Sequence, residues 1–221
     1  MRGAVAALLR RAGPEVGGWR SDGSGDLGDL ESFEVSGVAL AKSGGVSAQE
    51  QLTRLVASDE ALLQTFDRFV AAAVLPWLKQ GLAGGGAVKA DAPLAFYVQR
   101  PPTLRLQPGP SVRTVRPHCD AEYGHQPGEL NFWLPMTCME RTRTTLWAES
   151  APGAADDRPL VAALGEAVAF FGTGCRHQVP ANPSDCTRVS LDFRVGVEGH
   201  FDPHWSMRGT RSDHSRAVIT L

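Results

Sequence analysis

The chain has no excess of charge of either sign. Its 221 residues include 22 Lys and Arg against 24 Asp and Glu, which gives a formal net charge of −2. Nucleic acids and anionic membrane surfaces attract proteins through a large basic field, and this sequence provides none. We therefore expect no nucleic-acid partner and no membrane partner, and we expect a small or mixed-charge molecule as the ligand.

Long apolar runs are also missing. The longest apolar stretch covers residues 69–75, whereas a membrane-spanning helix needs about 20 predominantly apolar residues. The 43% of hydrophobic residues is nevertheless enough to build a core. The sequence thus predicts one soluble domain, while its oligomeric state is left open.

No two cysteines form a C-x-x-C pair. The four cysteines are Cys119, Cys138, Cys175 and Cys186. A chain of this length does not depend on disulfides for stability, so reduced thiols and a cytoplasmic location are expected. Residues 1–20 carry four arginines and one glutamate around an apolar run. This composition is weakly similar to an organelle transit peptide, but a short N-terminal helix is the simpler interpretation.

Composition divides the chain into three parts. Residues 1–90 are loop-rich and helical and are expected to pack on a barrel, with one short strand over 33–40; residues 91–198 form a β core; residues 199–221 form a tail. In the core, short β-like runs are separated by Pro and Gly, which is typical of a sandwich or barrel. The candidate strands are 94–99, 103–107, 112–118, 130–135, 144–148, 167–171 and 187–197.

Helical spacing of apolar residues follows the first glycine-rich loops. Ser47 and Glu50 have the spacing of a capping box, and the apolar pattern behind them predicts two helices. We expect the break between these helices near Ser58 and Asp59. Pro76 should kink the second helix or end it early, because proline lacks the amide hydrogen that the helix needs.

The last predicted strand has polar residues along one face only. Alternate side chains of a strand point to opposite sides, so the following residues share a face: Arg188, Ser190, Asp192 and Arg194. The same alternation occurs around Arg105 and around Asn131. A two-layer β fold explains both sets if its apolar faces pack on outer elements and its polar faces line a wet interior.

A set of metal-ligand residue types stands in the same region. His118 and Asp120 are two positions apart at the end of a predicted strand, so their side chains can chelate one ion together. Two imidazoles and one carboxylate leave open positions opposite, as in non-haem Fe(II) oxygenases. His177, on a distant segment, is the best third ligand. His125 could replace His118, but its distance from Asp120 within a probable turn makes this alternative less suitable.

Arg188 lies eleven residues after His177 and two residues before Ser190. The intervening segment has room for a short strand, a turn over 182–185 and a return strand, which would bring the guanidinium into the cavity of the histidine. The planar guanidinium donates two parallel hydrogen bonds to a carboxylate, and the serine hydroxyl adds another donor. A ligand with a carboxylate group near a metal ion is therefore indicated.

These motifs together resemble the Fe(II)/2-oxoglutarate-dependent dioxygenases, especially the branch of phytanoyl-CoA and ectoine hydroxylases. The resemblance rests on H-x-D at 118–120, the distant His177 and R-x-S at 188–190, and it covers about residues 94–197. Within this family, residues 117–135, together with 145–150 and 175–177, resemble more closely a subgroup that includes proteins from streptomycin biosynthesis clusters.

The resemblance implies a mainly β fold with N-terminal helices, a double-stranded β-helix or cupin-like jelly roll. It implies that His118, Asp120 and His177 hold Fe(II) and form the catalytic centre. Arg188 and Ser190 would bind the distal carboxylate of the co-substrate 2-oxoglutarate. The implied activity uses O2 to hydroxylate a small polar metabolite, with release of succinate and CO2.

Other residues are weaker candidates. Asn131 and Arg105 could bind the co-substrate or the substrate, because strand alternation places them on the cavity face, although a polar strand residue is often merely solvated. In the tail, a second metal site could be formed by His200, Asp202 and His204, but a solvated tail is the preferred interpretation.

Two further functions use the same residues. A cupin-like metalloenzyme of another class, an isomerase or hydrolase, could hold its metal with the same ligands, but it has no need of the carboxylate seat at Arg188 and Ser190. A non-catalytic jelly roll that binds a metabolite is the other alternative, and the complete ligand set argues against it.

Overall fold

A computed structural model of the chain describes residues 1–14, 16–20, 29–36, 48–112, 114–205 and 215–221. The helices are α1 (Arg2–Arg11), α2 (Ala48–Ser58), α3 (Glu60–Phe69), α4 (Leu75–Gly84) and α5 (Met139–Thr142). The strands are β1 (Gly17–Trp19), β2 (Phe33–Val35), β3 (Ala95–Gln99), β4 (Thr103–Gln107), β5 (Val115–His118), β6 (Glu129–Pro135), β7 (Trp147–Ala148), β8 (Arg158–Pro159), β9 (Val168–Phe170), β10 (His177–Val179), β11 (Arg188–Val197) and β12 (Arg216–Thr220).

Two antiparallel sheets form the β part. The larger sheet has the order β12-β3-β11-β6-β9, with β4 also paired to β11, and the smaller sheet has the order β5-β10-β7-β8. Strands β1 and β2 pair separately. The expected fold class, mainly β with N-terminal helices in a jelly-roll arrangement, is confirmed. Every candidate strand of the β core matches an observed strand at least in part.

The central strand β11 divides its side chains as the alternation predicted. Val189, Leu191, Phe193 and Val195 belong to the main apolar core, which also contains the buried side chains of helices α1, α2, α3 and α4. The Phe66 ring of α3 meets the Phe193 ring edge to face at 5.0 Å. The helices therefore cover the apolar side of the larger sheet, and the opposite, polar side faces a cavity.

Helices α3 and α4 form one continuous helix of 25 residues, Glu60–Gly84, joined by the π-helical segment Val70–Val74. Of the two outcomes expected at Pro76, an early end of the helix is wrong, while a kink remains a prediction. A proline ring normally clashes with the carbonyl group four residues before it, and the wider π turn in front of Pro76 relieves this clash. The predicted break before this helix is confirmed, since Asp59 caps α3 by accepting a hydrogen bond from Leu62 N at 2.9 Å.

The continuous helix meets the length and hydropathy criteria for crossing a membrane. Core helices of soluble proteins meet the same criteria, and Leu62, Phe66 and Val70 of this helix are buried in the main apolar core. The expectation that the protein has no membrane partner remains a prediction.

The N-terminal and C-terminal ends both join the core structure. Helix α1 buries Val5, Leu8 and Leu9, as expected of a short N-terminal helix. At the other end, the preference for a solvated tail is wrong for residues 216–220, because β12 pairs with β3 and adds an edge strand to the larger sheet. Arg216 of β12 also reaches the fully buried Glu129, with 2.6 Å between Nη2 and Oε1.

Some sequence predictions concern residues outside the described ranges. These are the end of the predicted strand over 33–40 and the Ser47 half of the capping box. The four cysteines are all described, and all four are free, as expected.

Candidate metal centre

His118, Asp120 and His177 come together at one end of the cavity between the two sheets. Their nearest ligand atoms all lie within 4.8 Å of one another. Oδ1 of Asp120 is 3.5 Å from Nε2 of His177 and 3.9 Å from Nε2 of His118. The register of the smaller sheet explains the pairing of the imidazoles, since His177 of β10 lies directly opposite His118 of β5.

Backbone carbonyl groups set the orientation of both imidazoles. Nδ1 of His118 lies 2.8 Å from the carbonyl oxygen of Arg116, and Nδ1 of His177 lies 3.1 Å from that of Cys175. With the proton on Nδ1, each ring presents the lone pair of Nε2 to a metal ion. Burial lowers the pKa of His118, and the neighbouring His177 lowers it further. The neutral form, which a metal ligand requires, is therefore favoured.

Asp120 is buried and ionised. Burial alone would raise the pKa of this carboxyl group, but the adjacent His177, the charge of Arg194 and the hydrogen bond from Asn131 hold the pKa well below its usual range. Asp120 lies two residues after the end of β5 and opens a short 3-10 helix, Asp120–Tyr123, whose first amide donates to the Gly172 carbonyl oxygen at 2.9 Å. The side chain thus points inward, beside the imidazoles.

Arg188 and Ser190 lie further along the cavity face of β11, and both are buried. Nε of Arg188 and Oγ of Ser190 have no hydrogen-bond partner. A buried polar group without a partner costs about 1–3 kcal/mol, so such donors in a cavity wall indicate a missing acceptor. Burial lowers the pKa of Arg188 to about 10, which still leaves the guanidinium charged at neutral pH.

Trp133 is a third member of this wall. Its side chain packs in a second apolar cluster. The guanidinium carbon of Arg188 lies 5.7 Å from the centre of the Trp133 ring, and the indole Nε1 has no hydrogen-bond partner. A stacked, charged guanidinium with two unpaired donors nearby suits the planar carboxylate that the sequence indicated.

Asn131 and Arg105 both face the cavity, as strand alternation predicted. Nδ2 of Asn131 donates to Oδ2 of Asp120 at 2.7 Å. Nε of Arg105 donates to Oδ2 of Asp192 at 2.8 Å. Their roles toward a co-substrate remain predictions. The structure adds one contact that spacing did not indicate, because Asn131 donates a hydrogen bond to Asp120, a candidate metal ligand.

The cavity has a volume of about 440 Å³, within the range of about 300–1,000 Å³ that is usual for small-molecule sites. Besides the ligand cluster, its polar lining consists of Arg105, Glu122, Tyr123, His125, Asn131, Arg188, Asp192 and Arg194. Apolar and aromatic side chains complete the lining: Val115, Trp133, Leu146, Phe170 and Val179. The space therefore suits a small ligand with polar groups.

Alternative metal assignments do not fit the structure. His125 is not part of the ligand cluster, and its Nδ1 lies 2.8 Å from Oε2 of Glu129. In the described part of the tail, His200, Asp202 and His204 form no comparable cluster. The sequence did not indicate the contact of Arg194 with Asp120. Strand alternation placed Arg194 on the cavity face, but it gave this side chain no role there.

No family model matches the chain. Over 110 residues, the chain is 34% identical to the streptomycin biosynthesis protein StrG of Streptomyces griseus. That match covers 50% of this chain and 51% of the relative, so the chain matches about half the length of StrG.

The non-heme monooxygenase ThoJ has a similar solved structure. Its apo form superposes with a TM-score of 0.54 at 13% identity, covering 97% of this chain and 79% of that one. Its nickel complex gives a TM-score of 0.52 at 14% identity, with the same coverage. The expected resemblance is thus confirmed: the chain has the jelly-roll fold of a non-haem oxygenase, and half of its sequence is similar to a streptomycin biosynthesis protein.

Proposed function

We propose that this chain is a non-haem Fe(II)- and 2-oxoglutarate-dependent dioxygenase that hydroxylates a small polar metabolite. One observation supports it most directly. Arg188, whose buried Nε has no hydrogen-bond partner, lines the same cavity as the cluster of His118, Asp120 and His177. Oγ of Ser190, which is also buried without a partner, belongs to the same face of β11. A metal cluster alone would suit many reactions, whereas a carboxylate seat in the same cavity suits a dicarboxylate co-substrate.

The donor set fits Fe(II). Two imidazole nitrogens and one carboxylate oxygen form the facial arrangement that this ion adopts in oxygenases, with open positions for further ligands. When bound, iron and 2-oxoglutarate together supply the oxidising power for a reaction with O2 that yields succinate and CO2. The role of the protein is to hold these groups and to exclude side reactions.

Each part of the cavity has a separate role in this proposal. His118, Asp120 and His177 hold the ion. Arg188 and Ser190 bind the distal carboxylate of the co-substrate, so that its other end is directed toward the metal. Arg105 and Asn131 are proposed to contact the co-substrate or substrate from the cavity face. The apolar part of the lining limits water near the reacting groups.

Two observations support a small polar substrate. The cavity face of the larger sheet carries charged side chains that include Arg105 and Asp192. The relative from Streptomyces griseus is named a streptomycin biosynthesis protein, which supports a metabolite as the substrate. A cytoplasmic location and the absence of a nucleic-acid partner are further parts of the proposal.

A metal-dependent isomerase or hydrolase remains the alternative. It would use the same metal ligands, but it would leave the guanidinium of Arg188 without an acceptor. A non-catalytic metabolite-binding protein would not need the complete ligand set. The two alternatives share one consequence, since neither binds 2-oxoglutarate to the metal.

The decisive experiment is anaerobic addition of Fe(II) and 2-oxoglutarate to the purified full-length protein. The expected result is the weak visible charge-transfer band of a keto acid chelated to iron. If the protein is folded and binds iron but shows no band, the proposal is wrong. A screen of polar metabolites for coupled succinate release then identifies the substrate.

A further inference from the structure

Both hydrogen bonds to the side chain of Asp120 from Arg194 and Asn131 go to one of its oxygens. Oδ2 accepts from Nε of Arg194 at 2.8 Å and from Nδ2 of Asn131 at 2.7 Å. Nη2 of Arg194 also lies 2.8 Å from this oxygen, at ion-pair distance. The other oxygen, Oδ1, is the one closest to the two imidazoles, at 3.5 Å from His177 and 3.9 Å from His118. The two oxygens of this carboxylate therefore have different environments.

Arg194 is held in place from its far side. Its Nη1 donates to Oε1 of Gln99 at 3.1 Å, and Nε2 of Gln99 donates to Oγ1 of Thr103 at the same distance. All three residues are buried, and they lie on the adjacent strands β11, β3 and β4. The guanidinium thus has fixed partners on both sides and little freedom to turn away from Asp120.

Asn131 is placed by the sheet and by a glycine. In the β6–β11 register it lies directly opposite Arg194, so both donors occupy the same point of the cavity face. A Cβ atom added at Gly172 would lie 2.6 Å from Nδ2 of Asn131, much closer than real Cβ atoms approach. Only glycine at this position leaves room for the amide next to the carboxylate.

We propose that Arg194 and Asn131 are positioning residues that restrict Asp120 to one metal-ligating oxygen and keep the remaining coordination positions open. This inference rests on the proposed function, because it needs a metal ion at the cluster. A carboxylate free to rotate can chelate an ion through both oxygens. Donors that saturate Oδ2 prevent this, and hydrogen bonds to ligating carboxylates typically tune metal affinity.

The competing interpretation is that Arg194 and Asp120 form a structural ion pair only. Loss of a partner from a buried ion pair destabilises a protein whether or not a metal binds. The test must therefore measure the metal centre itself. Co(II) is a suitable probe, because its visible d–d absorption reports the number and geometry of its ligands, and no co-substrate or substrate is needed.

The experiment titrates the full-length wild type with Co(II) at neutral pH, beside the variants Arg194→Lys, Arg194→Gln and Asn131→Leu. We expect each variant to bind Co(II) about 10–100-fold more weakly, with an altered d–d spectrum. Arg194→Lys should not restore the wild-type spectrum, because an ammonium group cannot make the paired contact that the guanidinium makes through Nε and Nη2.

Arg216→Gln is the matched control. It removes another arginine, whose side chain is 9% exposed, from a buried carboxylate, Glu129, on the same sheet but outside the ligand cluster. It should lower the melting temperature and leave Co(II) affinity and spectrum as in the wild type. If Arg194→Gln fails to fold, the variants Arg194→Lys and Asn131→Leu still test the proposal.

Each result has one consequence. Wild-type Co(II) affinity and spectrum in all folded variants would show a purely structural role and overturn the inference, while the proposed function would stand. A wild-type spectrum restored by Arg194→Lys would show that charge alone matters, which also overturns positioning. If the wild type itself binds no Co(II), the proposed function is wrong, and the inference fails with it.

Discussion

Oδ1 of Asp120 lies 3.5 Å from Nε2 of His177, although the two residues belong to different segments of the chain. The contact arises because β10 pairs with β5 and places His177 opposite His118, the neighbour of Asp120 in the H-x-D motif. The candidate ligand set is therefore a product of strand pairing in the smaller sheet. The site and the helices that cover the larger sheet lead to four predictions.

Removal of the third ligand should abolish metal binding. We expect His177→Ala to lose the visible band of the iron–keto acid complex, because two remaining ligands cannot hold the ion in place. The control is His200→Ala, which changes an exposed histidine outside the ligand cluster and should retain the band. A band of wild-type intensity in His177→Ala would show that another residue completes the site.

Removal of the side chains proposed to bind the distal carboxylate, Arg188 and Ser190, should weaken co-substrate binding without changing the affinity for Fe(II). Hydrogen bonds to charged groups contribute about 1.5–3 kcal/mol, so Arg188→Ala should raise the Kd of 2-oxoglutarate about 10–100-fold. Ser190→Ala removes a neutral donor and should have a smaller effect, about 2–10-fold. Anaerobic titration followed by the visible band measures both, and Fe(II) affinity serves as the internal control.

Two glycines should respond to alanine in opposite ways. At Gly172 the new methyl group would collide with the Asn131 amide, so Gly172→Ala should destabilise the protein by about 1–3 kcal/mol. At Gly81, within α4, no atom lies within 4 Å of the added Cβ, so Gly81→Ala should stabilise the helix by about 0.5–1 kcal/mol. Urea denaturation compares the two, and equal effects would contradict the packing described around Asn131.

The cap of helix α3 should give a pH-dependent contribution to stability. Burial alone would raise the pKa of Asp59, but Arg11 and the amide of Leu62 hold it below the ordinary value. A lowered pKa means that ionised Asp59 stabilises the fold above the unfolded-state pKa near 4, and that this contribution is lost as the pH falls through the lower, folded-state pKa.

Asp59→Ala should therefore cost about 1 kcal/mol at neutral pH. The difference from wild type should stay constant from about pH 8 to pH 5 and shrink below about pH 4. A difference that grows on acidification would contradict the assignment of Asp59 as an ionised cap.

Several structural features could be predicted because they depend on local spacing. Alternation along residues 188–194 correctly placed polar side chains on the cavity face, since every strand turns alternate residues to opposite sides. The break near Asp59 was predictable for the same reason, because a cap acts within one helical turn.

Other features depended on interactions that spacing does not contain. The helix continues past Pro76 because a π turn adapts the backbone in front of it. Residues 216–220 form a strand because the edge of β3 was available for pairing. Neither the π turn nor the exposed strand edge leaves a periodic pattern in the residues concerned.

The candidate site combines both kinds of information. The sequence by itself determined which ligand types are present, with His118 and Asp120 on one strand end and Arg188 and Ser190 on one face, because these relations are local. Only the tertiary structure decided that His177 meets Asp120, and that Arg194 and Asn131 enclose its second oxygen. Those contacts join strands far apart in the chain, and sheet register, rather than residue type, determines which side chains meet.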